Sequence, residues 1–316
     1  MARMAFLLPE LEERPLTMTQ DLQFRAGCVG LFGQTNVGKS TLLNALLGKK
    51  LVITSAKPQT TRCSIRCILT TAEAQVVFVD TPGLHEARTT LERQLLRESR
   101  RSLRGLDVIL YVVEPWREVR EQDRRPVVRL AGEGVPLLLL VNKTDVAKGN
   151  DLEETLLAYA DLGVFCELIP VSARTGAGLD DALRTLIRYL PISPPLFPAG
   201  TSCDRGEAFL VEECIREKVT NLTYAELPHS LAVRVKWLRE REDGLVEIKA
   251  EIVVDRESQK GIVIGKGGRM IKRIGTRARA EIETLLGRKV FLELIVSVLP
   301  GWTRDEGAVR QLTGAS

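Results

Sequence analysis

The sequence predicts an α/β nucleotide-binding domain, a mostly parallel sheet with helices on both faces, followed by a smaller α+β domain. Three observations predict this. From residue 24 to 190, short apolar runs alternate with amphipathic helical segments, the order that builds a parallel sheet. The stretch "PISPPLFPAG" at 191–200 holds Pro191, Pro194, Pro195 and Pro198, which excludes helix and central strand. Beyond it the order changes to α–β–β–α–α–β around "GKGG" at 265–268.

The elements follow in order. Residues 1–23 lack periodicity and read as a mobile extension. "AGCVGLF" (26–32) reads as a strand and "KSTLLNALLG" (39–48) as a helix that ends at Gly48. Residues 61–70 and 75–80 read as neighbouring strands, and 89–103 as a helix. "DVILYVV" (107–113) and "PLLLLVN" (136–142) are continuous apolar runs, as expected of strands covered on both faces. A helix at 151–162, a strand at 164–169 and a helix at 179–190 complete the first domain, 24–190. Residues 191–206 form a stiff linker. The second domain, 207–302, reads as helix 207–219, strands 231–238 and 246–254, a short helix 269–274, a helix 276–286 and a strand 289–298. Residues 303–316 are left as a tail.

Composition excludes some classes. The chain has 316 residues, a length suited to two domains, with 44% apolar and 27% charged side chains. No apolar run approaches the length of a membrane span, and the apolar patch in "MARMAFLLPELEERP" is too short for a signal peptide. A cytoplasmic protein is expected. The six cysteines are scattered. Cys63 and Cys67 are the closest pair in sequence, and with no second pair or nearby histidine they make no zinc site. Reduced thiols are expected. The net charge of +4 is mild, so an anionic partner must be argued from local clustering.

The first cluster of chemistry is "GQTNVGKS", Gly33 to Ser40. It fits G-x-x-x-x-G-K-[ST] between a strand and a helix, the context that makes it a phosphate loop. Glycines let the backbone close round phosphates, and the helix N-terminus adds a positive dipole end. Gly33, Asn36, Val37, Gly38, Lys39, Ser40 and Thr41 are expected at the nucleotide. Lys39 should reach the β- and γ-phosphates and Ser40 should ligate Mg²⁺. "DTPG" (Asp80, Thr81, Pro82, Gly83) ends the next apolar strand, placing Asp80 for Mg²⁺ and the Gly83 N–H for the γ-phosphate. In "QTTR" (59–62), Thr60 and Thr61 both qualify to close over the metal, and the sequence does not choose between them. With Thr61 written for that pair, the expected catalytic set is Lys39, Thr61, Asp80 and Gly83, and the metal set Ser40, Thr61 and Asp80.

"NKTD" (Asn142 to Asp145) selects the base. A carboxylate accepts from guanine N1–H and the 2-amino group, whereas adenine would leave Asp145 desolvated and unpaired, a penalty worth on the order of 10⁴–10⁵ in comparable sites. Asn142 should brace the site, Lys143 should pack over the base, and "VSA" should bring Ser172 and the Ala173 N–H to guanine O6. GTP/GDP with Mg²⁺ is therefore expected. Leu84 stands where a water-orienting glutamine would follow the glycine. Hydrolysis is then slow, or water is placed by backbone, a second ion or a partner.

"GKGG" has neither the spacing nor the following Ser/Thr of a second phosphate loop. It fits the G-x-x-G clamp of a KH module, which holds a single-stranded nucleic-acid backbone while bases cross an apolar groove. Residues 256–280 carry Arg256, Lys260, Lys266, Arg269, Lys272, Arg273, Arg277 and Arg279 against Glu257 alone, the electrostatic footprint of a nucleic acid. Ile264, Gly265, Lys266, Gly267, Gly268, Arg269, Lys272, Arg273 and Arg277 are the RNA candidates. Ile262, Ile271 and Ile274 are groove or core candidates, and Trp302 fits core or interdomain packing better than base stacking.

These motifs, joined to "FLVEECIREKVTNLTYAELPHS", "SQKGIVIGKGGRMIKRIGTRARAEIETLLG" and "VFLELIVSVLPGW", resemble the Era family of bacterial GTPases from about 24 to 302. The resemblance implies a Ras-like P-loop GTPase domain and a type II KH domain. It implies a monomer that binds the 3′ end of small-subunit ribosomal RNA and the 30S precursor during ribosome assembly. It also implies peripheral association with the cytoplasmic face of the inner membrane, and no DNA partner. The family's apolar residue after "DTPG" matches Leu84. Residues 1–23 are extra to the family, Thr35 stands where it usually has proline, and "EARTTLERQLL" lacks its usual proline- and glycine-bearing run. The alternative expectation is a ribosome-bound RNA-binding protein whose GTP site is mainly structural.

Overall fold

The computed structural model describes residues 23–54, 65–80, 105–115, 119, 121–223 and 230–313. Residues 1–22 of the expected extension, "QTTR", "TPGL" and the helix at 89–103 lie outside them. Six strands form the first sheet: β1 (Arg25–Gly33), β2 (Ile65–Thr70), β3 (Ala74–Asp80), β4 (Val108–Val113), β5 (Leu137–Val141) and β6 (Glu167–Pro170). Their order is β2-β3-β1-β4-β5-β6, with β2 antiparallel to β3 and every other pair parallel. The helices are α1 (Lys39–Leu47), α2 (Glu121–Ala131), α3 (Asp151–Ala160) and α4 (Leu179–Tyr189).

The apolar runs are two-faced for a physical reason. All six residues of β4 are buried. Val108, Leu110 and Val112 join the layer that holds Leu42 and Leu43 of α1 and Leu186 of α4. Ile109, Tyr111 and Val113 join the opposite layer, with Val127 and Leu130 of α2 and Tyr159 of α3. Each such side chain contributes about 1.5–3 kcal/mol on burial, so alternate residues drive both helix layers onto the sheet.

Helix α2 was not expected from the sequence. Pro126 lies inside it, a residue that normally ends a helix. Asp123, Val127 and Leu130 are all buried and lie on one helical face, so packing outweighs the local proline cost.

The second domain contains α5 (Glu207–Leu222), β7 (Leu231–Glu240), β8 (Val246–Val254), α6 (Glu257–Ile264), α7 (Arg269–Leu286), β9 (Val290–Val298) and α8 (Glu306–Thr313). Its sheet runs β7-β8-β9, the first pair antiparallel and the second parallel. Val211, Ile215 and Val219 of α5 and Ile274, Ala278 and Ile282 of α7 pack on Ile248, Ala250 and Ile252 of β8. The opposite face is covered at one end by Trp302 and Val309 with Ala232 and Val253. Trp302 is a core residue whose Nε1 donates to the Ser230 carbonyl at 3.2 Å.

Three readings of this region change. The paired helices are 257–264 and 269–286, so "GKGG" lies between them rather than before both. The proposed break at Gly275 is absent, because α7 runs through it against Leu294 of β9. The stretch read as a tail contains α8.

The proline-rich segment is bonded along the first sheet. Ala26 N donates to Pro191 O and Ser193 N to Phe24 O. Gln75, fully buried, accepts at Oε1 from Leu196 N and Phe197 N and donates to Phe197 O. Ile68 N then donates to Ser202 O, and Asp204 N to Arg66 O. Proline lacks an N–H donor but keeps its carbonyl, which Pro191 gives to β1, and the continuation of the segment at 202–204 straps the free edge of β2.

Past this strap, the two domains meet at an ion cluster. Lys50 lies 2.7 Å from Glu217 and 2.8 Å from Glu281. Lys218 pairs with the same two carboxylates.

Candidate nucleotide site and nucleic-acid interface

The phosphate loop leaves β1 at Gly33, where φ is +141° and a Cβ would collide with the Val112 carbonyl. Asn36 (φ 66°) and Gly38 (φ 96°) also adopt left-handed backbone, which lets the chain reverse within a few residues. Helix α1 begins at Lys39 with no side-chain cap and no acid in its first turn. Its first N–H groups are therefore presented to the loop interior, where an anion suits them. Lys39 Nζ donates to Gly33 O at 2.9 Å and Gln34 O at 2.7 Å, arching over the loop. Gln34 donates to the buried Asp123 of α2.

Asn142 ties the loop to the second half of the site. Its side chain is only 1% exposed. Nδ2 donates to Val37 O at 2.8 Å, and Oδ1 accepts from Ala173 N at 3.0 Å. One buried amide thus links "GQTNVGKS", "NKTD" and "VSA". Gly38 leaves room for it, since a Cβ there would lie 2.5 Å from Asn142 Nδ2. Lys143, at φ 68°, turns back to donate to Asn36 O at 2.7 Å and to pair with Glu114.

Asp145 is the middle residue of a short turn, Thr144–Val146. Ser172 Oγ donates to its Oδ1 at 2.6 Å, and Arg174 lies 2.6 Å from its Oδ2. The Ser172 hydrogen bond first, and then Arg174, hold its carboxyl below the usual range, so it is an anion at neutral pH. Ser40 and Thr41 lie in the first turn of α1, and the backbone of Asp80 ends β3 beside Leu31 of β1. Thr60, Thr61, Thr81, Pro82 and Gly83 lie outside the described residues. Glu114, Asp123 and Arg174 were missed in sequence. Glu114 alone had a signal, as the first polar residue after the apolar run of β4.

The second site is a glycine turn between α6 and α7. Gly265 (φ 69°), Gly267 (φ 61°) and Gly268 (φ 74°) are all left-handed. At Gly265 a Cβ would lie 2.7 Å from Met270 Cβ and 3.0 Å from its backbone N, so only glycine fits. Lys266, Gly267 and Arg269 are exposed at the turn, as are Lys272, Arg273 and Arg277 along α7. Among the described residues, none of these five cations is paired with a carboxylate. Ile264 and Ile271 are half-buried and Ile262 is exposed beside them, while Ile274 belongs to the core.

Comparison with known proteins agrees with both halves. A family model described as a 50S ribosome-binding GTPase matches residues 28–143, and a KH domain model matches residues 226–303. GTPase Era of Geobacter metallireducens is 46% identical over 293 residues, covering 92% of this chain and 98% of its own. GTPase Era of Geotalea uraniireducens is 47% identical, with coverages of 92% and 97%. A point variant of Aquifex aeolicus Era bound to GDP·AlF4⁻ matches with a TM-score of 0.88 at 37% identity, covering 93% of this chain and 100% of the other. Era in complex with MgGDPNP and nucleotides 1506–1542 of 16S ribosomal RNA matches with a TM-score of 0.87, at the same identity and coverage. With relatives this similar aligned through both the phosphate loop and the glycine clamp, the chain belongs to the Era GTPase family.

Proposed function

We propose that this chain is a Mg²⁺-dependent GTPase that holds the single-stranded 3′ end of small-subunit ribosomal RNA in its KH domain and acts in assembly of the small subunit. The observation that carries the reading is the Asn142 strut, whose two hydrogen bonds join the phosphate loop at Val37 O to "VSA" at Ala173 N, next to the Ser172 that holds Asp145. The residues fit the nucleotide. The uncapped start of α1 and Lys39 would hold the phosphates. Asp145 would accept the guanine N1–H and 2-amino group, and the Ala173 N–H would share its proton between Asn142 Oδ1, which accepts it at 3.0 Å, and guanine O6. A base taking both Asp145 oxygens displaces Arg174, whose side chain is 72% exposed and gives up little by leaving. Ser40, Asp80 and one of Thr60 and Thr61 would hold Mg²⁺, which neutralises charge on the β- and γ-phosphates when bound. The residues acting on the phosphates are Lys39, the Gly83 N–H and the loop of Asn36, Val37, Gly38, Ser40 and Thr41, flanked by Thr81 and Pro82.

On the RNA side, the left-handed glycines allow close approach of a phosphate backbone to Gly265–Gly268. Lys266, Arg269, Lys272, Arg273 and Arg277 supply the charge, with Ile264 beside the groove. Among the described residues no helix is long and apolar enough to cross a membrane. The family resemblance supports a monomer with peripheral inner-membrane contact, which flotation with anionic vesicles checks.

The test is phosphate release from GTP with and without single-stranded ribosomal RNA, in the parent and in Lys266→Asp/Gly267→Asp. Gly267 has open space around its Cα, and aspartate tolerates left-handed backbone, so the variant should fold. Nucleotide affinity and basal release should be retained, while RNA affinity and any RNA stimulation should be lost. If the parent binds GTP but releases no phosphate with or without RNA, the alternative of a structural nucleotide site replaces this reading.

A further inference from the structure

In sequence the nearest thiol to Cys67 is Cys63, but the fold supplies another. Cys67 lies on β2, at the edge of the first sheet, and Cys203 lies opposite it on the strap as an antiparallel bridge pair. The two flanking hydrogen bonds, Ile68 N to Ser202 O at 2.8 Å and Asp204 N to Arg66 O at 3.0 Å, identify the pair as non-hydrogen-bonded. In such pairs the Cα atoms approach to about 4.5 Å with side chains on one face. That separation falls within the range a disulfide spans. The side chains do share a face: Cys67 is fully buried in the cluster beneath the sheet, and Cys203 packs against the same cluster. Neither is in a disulfide, and the Cys203 thiol donates to the Arg205 carbonyl at 3.2 Å.

We propose that Cys67 and Cys203 are a dithiol that closes to a reversible disulfide, stapling the interdomain strap to the edge of the GTPase sheet. The oxidant is a small-molecule disulfide. Cys203, the more exposed of the two, loses its proton and attacks one sulfur of that disulfide. The small-molecule S–S bond breaks and one thiol departs. Cys67 then loses its proton and attacks the Cys203 sulfur of the mixed disulfide, expelling the second small thiol. One S–S bond forms in the protein and one is reduced outside it, with two electrons transferred. Burial holds the Cys203 thiol above its usual range, so closure should be faster at alkaline pH. Its effect is local: β2 begins just after "QTTR", and the strap leads directly into α5, the first helix of the KH domain.

The full chain is incubated with glutathione disulfide, unfolded in denaturant, titrated for free thiols and mapped as non-reduced peptides. The expected result is loss of two thiols beyond any surface glutathionylation and a peptide linking Cys67 to Cys203, reversed by reduced glutathione. Cys203→Ser should keep Cys67 titratable and give no link, while its unchanged GTP affinity certifies the fold. A Cys67 thiol that stays titratable in the oxidised parent overturns the proposal, as does a link from Cys203 to Cys63 or Cys28.

Discussion

Asn142→Ala is the most informative single change in the nucleotide site. The side chain is buried and makes two hydrogen bonds, at 2.8 Å to Val37 O and at 3.0 Å from Ala173 N. Alanine leaves both backbone groups without that partner in a site that water does not enter freely. Each orphaned group costs about 1–3 kcal/mol, so the GTPase domain should lose roughly 2–6 kcal/mol, a large fraction of an ordinary domain's stability. Urea unfolding followed by circular dichroism should show a lower midpoint for that domain with an unchanged slope. GTP affinity should also fall, because the phosphate loop and the Ala173 N–H lose their common strut. Asn142→Asp should be no better at neutral pH, since it sets a carboxylate oxygen against the Val37 carbonyl. Gly38→Ala supplies an internal check. Its Cβ would strike Asn142 Nδ2, so the double substitution should cost less than the sum of the singles, with coupling of about 1 kcal/mol. A loss below about 0.5 kcal/mol for Asn142→Ala, within the range of an ordinary surface change, would refute the strut.

Other outcomes follow from the same geometry. Asp145→Asn should shift nucleotide preference from guanosine toward xanthosine, because the new amide offers a donor where guanine presents one; equal competition of the parent by ATP and GTP would contradict the base assignment. Lys39→Ala should abolish GTP binding, measured by calorimetry, while the KH domain still melts as in the parent. Glu251 is pushed up by burial but held down to about 2 by Lys236, Arg234 and Ser297. Its folded value lies below the ordinary 4.5, so its contribution is full above about pH 4.5 and is lost as pH falls toward 2. Solvent screening leaves that contribution at about 1–2 kcal/mol, and Glu251→Gln should flatten acid unfolding of the KH domain across this window.

The alternation of strands and helices in the first domain and the strand-to-helix setting of "GQTNVGKS" were legible because each is local. Strand β4 declares its two faces in six residues, and "NKTD" carries its chemistry in four. What was not legible depended on partners distant in sequence. "ESQKGIVI" contains Gly261 and three β-branched residues, poor helix formers, yet it forms α6 because Val263 is buried in the KH core. Gly275 resembles a break, but α7 is held straight on either side by Ile274 and Ala278, which outweigh a glycine cost of about 1 kcal/mol. The proline run reads only as a stiff linker because nothing within it reveals Gln75, more than a hundred residues away, as the side chain that holds it. The strut at Asn142 was expected only as a brace, since its two partners lie 105 and 31 residues away.

The ion cluster at Lys50 has a mechanical consequence. Each glycine loop launches a helix, α1 from the phosphate loop and α7 from the clamp, and the far ends of these rods are joined through Lys50 and Glu281. From Arg269 to Glu281 a helix rises about 18 Å. A swing of about 10° around the cluster would carry "GKGG" through about 3 Å, the full length of a hydrogen bond. A tilt of that size at the cluster is thus amplified along α7 into a displacement as large as one hydrogen-bonded contact at the glycine turn.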